Sequence, residues 1–479
     1  MRSMEIRLPI YEALVNHINH NPTSLHVPGH KYGSLFVEDA LETFEKILSI
    51  DATEITGLDD LHAPSGVIKE AEILTAQLYG VKRSFLLVGG TTSGNLAMIL
   101  STCEAGDLVF VQRNCHKSIL HALQLARVEP VFLYPEIDES TQTPIGVSFE
   151  TFKSAIKQYP DAKAVILTYP NYYGQALNIE RLIDCAHAHN MRVLVDEAHG
   201  AHFIVGSPFP PSALSMGADI VVQSAHKTLP AMTMGSFLHV NSKRVDDKKL
   251  SFYLQVFQSS SPSYPIMASL DIARVYLQTF IEKDDKSNVL SQLSDFQQKI
   301  FVMGLEPVQS TDKLITQDPL KLILQASCNG YELQHALERE QVYVELADPL
   351  NVLCIFPLGN IPQKEELLLR FQRAMSSLTN KKNVKVNEVS KPISNPFVKL
   401  SYSYEEMNNK NKKRVPLSQA SGYIAAQEVI PYPPGVALVM SGEKITDEQI
   451  TQCFELKILG ARFQNEETIW NDGILVIDE

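Results

Sequence analysis

From about residue 51 to 280, short apolar runs alternate with longer segments of helical spacing. Ser84–Val88, Leu108–Val111, Val131–Tyr134, Ala164–Thr168, Val193–Val195, Ile220–Gln223 and Gly235–Val240 read as buried parallel strands. A strand covered on both faces shows a continuous apolar run instead of alternation. Helical segments stand between several of them, such as Ile179–His189 after Tyr173-Gly174, with Leu96–Thr102 and Ile266–Leu277 as further helices. The alternation predicts an α/β domain with a mostly parallel sheet. In such sheets ligands gather at the carboxyl ends of the strands.

Outside this stretch the pattern changes. Ile10, Leu14 and Ile18 have helical spacing, while Pro28 and Gly29 within His26-Val27-Pro28-Gly29-His30-Lys31 interrupt any regular helix. Further on, Lys321–Gln325 and Val352–Phe356 read as strands and Glu332–Arg339 as a helix. Residues 379–414 are polar and rich in Lys and Asn, which predicts an exposed loop or insert; Tyr432-Pro433-Pro434-Gly435 predicts a rigid turn. The expected organisation is an N-terminal arm (1–50), a large domain (51–280) and a smaller α+β C-terminal domain region (281–479).

Composition narrows the class. At 479 residues the chain exceeds what one hydrophobic core usually organises. Its 44% hydrophobic and 20% charged residues exclude disorder across the whole chain. A formal charge of −13 argues against a general nucleic-acid surface. It suits a cationic small substrate, and equally a protein kept soluble by acidity. The six cysteines (Cys103, Cys115, Cys185, Cys328, Cys354, Cys453) form no CxxC and no zinc-like cluster. No metal is therefore expected, and a reducing compartment is. No apolar run suits a signal peptide or a membrane span. The expectation is a soluble cytoplasmic protein with no membrane or nucleic-acid partner.

The chemistry-bearing residues lie at predicted strand ends. Lys227 closes Ser224-Ala225-His226-Lys227 after one run, and Asp196 directly follows Val193-Leu194-Val195. A lysine and a carboxylate so placed are what pyridoxal phosphate (PLP) needs. The amine forms a Schiff base with the cofactor aldehyde. The carboxylate pairs with the ring nitrogen and keeps it protonated, so the ring accepts electrons. A carboxylate ending a buried strand is costly unless paired; a salt bridge or helix cap are its other outlets. Apolar neighbours on both sides distinguish Lys227 from a surface lysine, and burial lowers an amine's pKa.

Other segments carry weaker signals. Gly89-Gly90-Thr91-Thr92-Ser93-Gly94-Asn95 follows a strand and opens a helix. Backbone N–H groups and hydroxyls there bind phosphate, although a plain Gly-rich turn reads equally well from the segment alone. His116 in Arg113-Asn114-Cys115-His116-Lys117-Ser118 offers a flat ring for stacking on a pyridine, or a helix cap. Ala198 is small enough to let a ring lie flat. His199 is placed to orient a cofactor or touch a substrate carboxylate. His226 has three readings: a phosphate contact, an acid, or a structural residue. Ser259-Ser260-Ser261-Pro262-Ser263-Tyr264 alone reads as a helix-capping segment.

Together these segments resemble the PLP-dependent Orn/Lys/Arg decarboxylases, in the shorter form lacking the N-terminal wing domain. The resemblance spans nearly the whole chain. It is carried by His26–Lys31, Gly57-Leu58-Asp59-Asp60-Leu61-His62, Arg113–Ser118, Asp196-Glu197-Ala198-His199-Gly200, Ser224–Lys227, Ser261–Tyr264, and Pro431–Gly435 with Gly442-Glu443. It implies PLP-dependent transferase fold type I, with residues 51–280 as the PLP-binding domain. By the resemblance, Thr91, Thr92 and Ser224 bind the phosphate and His116 stacks on the ring; Gly90 and His226 join the cofactor-binding set. Asp196 pairs with the ring nitrogen beside Ala198, and Lys227 holds the cofactor. Lys227, Asp196, His116, His199 and His226 form the implied catalytic set. Family members share active sites across a homodimer, which gives Ser260 to the partner subunit's phosphate. Gly89 departs from relatives that carry Asn before this turn; the change removes no implied ligand.

The implied reaction converts a basic amino acid (arginine, lysine or ornithine) to its amine and CO2. The proton delivered to Cα falls to Lys227 or His226. Glu345 and Asp348 are candidates for the distal cation, or belong to a solvated loop. Two other readings stay open. One is another PLP reaction, transamination or a lyase step, because the outcome depends on which Cα bond stands perpendicular to the ring. The other is a non-catalytic PLP-binding homologue, against which the intact Lys227 and Asp196 argue.

Overall fold

Strands and helices alternate along the chain in the computed structural model, which describes residues 6–378, 396–431, 436–464 and 466–478. Helices α1 (Pro9–Asn19), α2 (Glu38–Ile50) and α3 (Val67–Tyr79) lead into β1 (Arg83–Leu87) and α4 (Gly90–Thr102). Then come β2 (Leu108–Gln112), α5 (Lys117–Ala126), β3 (Glu129–Leu133), α6 (Phe149–Gln158), β4 (Ala164–Thr168), the short β5 (Gln175–Leu177) and α7 (Glu180–Ala188). They are followed by β6 (Arg192–Asp196), β7 (Ile220–Gln223), the single turn α8 (Ala225–Thr228), β8 (Ser236–Val240), α9 (Asp247–Phe257) and α10 (Tyr264–Lys283).

The chain packs as two compact units. One combines the chain up to Thr102 with Arg192–Gly206 and Pro211–Lys286; the other combines Cys103–Met191, Ser207–Pro210 and the chain from Ser287 onward.

In the first unit the strands lie in the order β1-β8-β7-β6. β6 and β7 pair in parallel, with Asp196 opposite Val222, while β8 is antiparallel to both β7 and β1. Three of these four strands therefore run the same way. The expectation of a parallel strand at Gly235–Val240 is corrected. A continuous apolar run reports burial on both faces and says nothing about direction. The chain turns back after β7 through only one helical turn, α8, and so returns antiparallel.

Helix α4 packs against α9 and lies on β6, β7, β8 and β1. Its approach depends on Gly94. A Cβ there would lie 2.6 Å from Val222 Cγ1 and 2.7 Å from Leu87 Cδ1. Gly94→Ala is therefore expected to push α4 off the sheet and cost about 1–3 kcal/mol by overpacking. Urea unfolding of the purified variant checks this, and unchanged stability would contradict the close packing.

The N-terminal arm is anchored from within the same unit. Ile10 and Leu14 are buried, and Arg274 pairs with Asp271 in α10 while Asp271 accepts from the Ile10 backbone at 3.1 Å. Residues 26–31 are irregular, as Pro28 and Gly29 predict.

In the second unit β2 pairs in parallel with β3 and with β4, and the strand Phe397–Lys399 adds to β3 antiparallel. A separate antiparallel sheet has the order Leu346–Ala347, Val352–Ile355, Lys321–Gln325, Glu306–Val308. The exposed loop expected over 379–414 is corrected for its described part. Residues 396–414 carry that strand on β3, the helix Tyr404–Asn409 with a Ser403–Glu406 capping box, and the start of the strand Lys412–Val415. The apolar anchors Phe397, Tyr404 and Met407 are buried despite the polar composition around them. Residues 379–395 and the turn Tyr432-Pro433-Pro434-Gly435 lie outside the described residues. Among the described residues no helix is long and apolar enough to cross a membrane, and no group of three His, Cys, Asp or Glu side chains gathers as a metal site.

Candidate active site

Parallel pairing sets the carboxyl ends of β6 and β7 side by side, and the chemistry follows from what leaves each end. Asp196 is the last residue of β6 and is 4% exposed. Its Oδ2 accepts from Asn95 Nδ2 at 2.8 Å and its Oδ1 from the Ala198 backbone N–H at 3.1 Å. Asn95 lies on α4, and the contact exists because Gly94 lets that helix sit close to the strands. Both donors are neutral amides, so the carboxylate keeps lone pairs for a cation.

β7 ends at Gln223, and Ser224 precedes α8, which carries His226 and Lys227. The Ser224 backbone N–H donates to Ala198 O at 3.3 Å, which joins the two strand ends. Lys227 Nζ stands 3.0 Å from His199 Nε2. The buried Thr91 hydroxyl bonds the Ser224 hydroxyl and lies 3.3 Å from Ser236 Oγ. Thr91 is in the first turn of α4, which starts at Gly90. Gly90 has φ +72°, a left-handed conformation that side chains disfavour. The helix thus begins six residues earlier than its apolar spacing predicts, and Thr92 is exposed in the same turn.

The contacts fix the tautomer of His226. Its Nδ1 is 2.9 Å from the Gly235 carbonyl, which only accepts, so Nδ1 carries the proton and Nε2 a lone pair. Burial lowers its pKa, the Gly235 bond opposes this, and the neighbouring Lys227 lowers it further. It is therefore neutral at physiological pH and offers an acceptor, not a proton, at Nε2.

The remaining sequence candidates stand elsewhere. Ser260 is exposed, in a loop held by His62, whose Nε2 donates to Ser259 O at 2.8 Å, and by Tyr264, whose hydroxyl donates to Asp59 O at 2.7 Å. His116 belongs to the second unit, where its Nδ1 accepts from Ser118 N at 3.2 Å and caps α5. Glu345 and Asp348 are also in that unit; Glu345 is exposed, whereas Asp348 is enclosed by protein donors. Tyr172 donates to Glu345 at 2.7 Å. Asp348 accepts from Tyr173 at 2.5 Å, from the Leu350 and Asn351 backbone at 2.7 and 2.8 Å, and from Asn351 Nδ2 at 2.9 Å. Its oxygens are taken by protein donors, which corrects its candidacy for a substrate cation.

Three residues at this site escaped the sequence reading. Asn95 had one available signal: it lies one helical turn beyond Thr91 in the same Gly-rich segment. Ser236 and Glu197 had none, because their partners come from distant parts of the chain: α4 for Ser236, and β7 with the segment 212–213 for Glu197. Glu197 is fully buried and accepts from Ala213 N at 2.6 Å, Ser212 Oγ at 2.8 Å and Gln223 Nε2 at 2.5 Å. Burial pushes its pKa up to about 7 against these three donors.

The arrangement fits PLP on its donor set. A phosphate calls for converging hydroxyls at a helix N-terminus, whose first N–H groups have no intrahelical partner, as at α4 with Thr91 and Ser224. A pyridinium calls for a carboxylate buried among neutral donors, which Asp196 is. An aldehyde calls for an amine with a proton acceptor beside it, as Lys227 has in His199.

Comparison with known proteins agrees. Residues 8–364 match the family model for the major domain of the Orn/Lys/Arg decarboxylases, and residues 383–464 match the model for their C-terminal domain. The chain is 47% identical over 476 residues to the uncharacterized protein YaaO of Bacillus subtilis, covering 98% of each chain. It is 32% identical over 481 residues to an arginine decarboxylase of the same organism, again covering 98% of each. The crystal structure of the Francisella novicida lysine decarboxylase LdcF superposes with a TM-score of 0.82 at 20% identity, over 99% of this chain and 82% of that one. Fold type I of the PLP-dependent enzymes is thus the fold of this protein, and the chain belongs to the Orn/Lys/Arg decarboxylase family.

Proposed function

We propose that this protein removes the α-carboxylate of a basic amino acid, with PLP held on Lys227 and arginine as the first substrate to try. The observation that carries the reading is the joined pair of strand ends: Asp196 supported by Asn95, and Lys227 beside His199. Arginine is placed first because arginine decarboxylases 31–32% identical span more than nine-tenths of the chain, whereas the lysine decarboxylases among its relatives are 23–25% identical.

Bound PLP supplies the electron sink for the pair left at Cα when CO2 departs. The first turn of α4, with the hydroxyls of Thr91, Thr92 and Ser224, binds the phosphate. Asp196 keeps the ring nitrogen charged, and Ala198 leaves the ring room. His116 keeps the stacking role on the resemblance alone, and Ser260, exposed in its pinned loop, is assigned to the partner subunit's phosphate within a homodimer.

Lys227 is also the better proton donor to Cα. With PLP bound, the Lys227 Nζ would carry a proton to Cα, and His199 Nε2, 3.0 Å away, is within hydrogen-bond reach to exchange it. His226 is the weaker candidate, since its Nδ1 proton is committed to Gly235 and its Nε2 has none to give.

The test is purified protein with PLP and each of arginine, lysine and ornithine, measuring CO2 and identifying the organic product by mass spectrometry. The expected result is equimolar CO2 and the amine of one of the three. No CO2 from any of them with PLP bound, or a keto acid in place of the amine, rejects the proposal.

A further inference from the structure

Glu197 directly follows Asp196 yet faces away from it, into a buried row of polar side chains that crosses three strands. Gln223 Nε2 donates to Glu197 Oε2 at 2.5 Å. Gln223 Oε1 faces His239 Nε2 at 3.1 Å, and His239 Nδ1 faces Ser84 Oγ at 2.8 Å. Glu197, Gln223, His239 and Ser84 have no measurable exposure.

At a pH above the Glu197 pKa of about 7, where its carboxylate is ionised, the direction of every bond in this row is determined. An ionised carboxylate only accepts, so Gln223 must turn its NH2 to Glu197 and its carbonyl to His239. That carbonyl needs a donor, so His239 carries its proton on Nε2. The bare Nδ1 then accepts from the Ser84 hydroxyl. Burial drives the His239 pKa down to about 3, so the ring holds one proton only and the tautomer choice is forced. The row is a one-way relay from Ser84 on β1, through β8 and β7, ending on the residue after the candidate cofactor carboxylate.

The same end is closed by packing. A Cβ on Gly200 would lie 2.6 Å from Glu197 Cγ and 2.8 Å from the Phe203 ring, so the turn from 197 to 200 wraps the Glu197 side chain. The Gly200 N–H donates to Glu197 O at 2.9 Å. Tyr79 lies tilted against the His239 ring at 4.3 Å and its hydroxyl donates to Ala201 O at 2.8 Å, tying the relay to the same segment a second time.

We propose that Glu197 is a positioning residue for the reaction: the buried relay Ser84–His239–Gln223–Glu197 fixes the Asp196–His199 segment, and so sets both the Asp196 carboxylate and the His199 partner of Lys227. The inference rests on the PLP reading above for what is positioned. It does not depend on that reading for the relay itself.

The test uses the full chain labelled with nitrogen-15 histidine, with His239 assigned by loss of its signal in His239→Gln. At a pH well above 7, where Glu197 is ionised, wild type is expected to show His239 as the Nε2–H tautomer, with or without PLP. In Glu197→Gln the new amide donates towards Gln223, which must flip. His239 then switches to Nδ1–H, and the PLP dissociation constant of the apoprotein rises about tenfold, the effect of one disturbed buried hydrogen bond. The exchange variant Glu197→Gln with Gln223→Glu keeps one carboxylate in the row, since Glu at 223 accepts from both His239 and the new Gln at 197. It is expected to restore the Nε2–H tautomer and bring PLP affinity back to within about threefold.

Unchanged PLP affinity in Glu197→Gln overturns the positioning role. An exchange variant that restores the tautomer but not the affinity overturns it too. Should Glu197→Gln not fold, His239→Gln interrupts the relay upstream and must also weaken PLP; unchanged affinity there is equally fatal. A wild-type chain with no Lys227-dependent PLP absorption rejects the proposed function, while the tautomer of the apoprotein still decides the relay.

Discussion

Lys227→Ala is expected to lower kcat/KM for the true substrate by roughly 10³-fold or more, because one side chain serves two roles. It anchors the cofactor covalently, and it is the group best placed to return a proton to Cα. Two further readouts separate chemistry from folding. The visible absorption of lysine-bound PLP disappears in the variant, since the amine that creates it is gone. Thermal unfolding of the apoprotein changes by no more than about 1 kcal/mol, because Lys227 is only half-buried and α8 is a single turn. A small primary amine in the buffer restores part of the rate by replacing the missing nitrogen. Retention of the absorption band and of activity would falsify the assignment of Lys227.

Asp196→Asn has the second largest expected effect, and its signature differs. The substitution keeps shape and removes charge. The Asn95 amide still finds an oxygen at 196, whereas the Ala198 N–H now faces a donor or loses its partner. PLP still attaches to Lys227, so the absorption band remains. The ring nitrogen loses its counter-charge, and decarboxylation falls by about 10²–10³, the range for removal of a preorganised electrostatic partner. The loss appears in kcat, since the substrate's own contacts are untouched. Activity within a few-fold of wild type would show that the ring nitrogen is served by another group.

Much of this was legible in the sequence for a definite reason. Buried strands announce themselves as unbroken apolar runs, so the ends at Asp196 and Ser224 were located within a residue. A site built on strand ends inherits that accuracy. What was illegible has a common cause as well. Asn95 matters through a helix-to-strand approach that Gly94 permits, Ser236 through Thr91 on α4, and Glu197 through a row of partners that begins on β7 and continues to β8. None of these relations has a spacing along the chain. The direction of β8 was hidden because apolar runs carry no arrow. The order in residues 396–414 was hidden because four buried side chains there, Phe397, Leu400, Tyr404 and Met407, outweigh a polar majority.

The β1–β8 ladder joins Arg83–Leu87 to Ser236–Val240, roughly 150 residues later in synthesis, so this part of the fold is dominated by non-local contacts. On the ribosome, β1 and α4 emerge long before the strands that cover them. Until then the nascent chain holds an apolar strand with no ladder partner and a helix whose Gly94 side lacks Val222 of β7, a state open to wrong pairing. The first unit cannot close until the chain has reached about residue 240, and a ribosome-stalled chain ending at α7 would carry every phosphate-binding residue of α4 without the sheet that orients them.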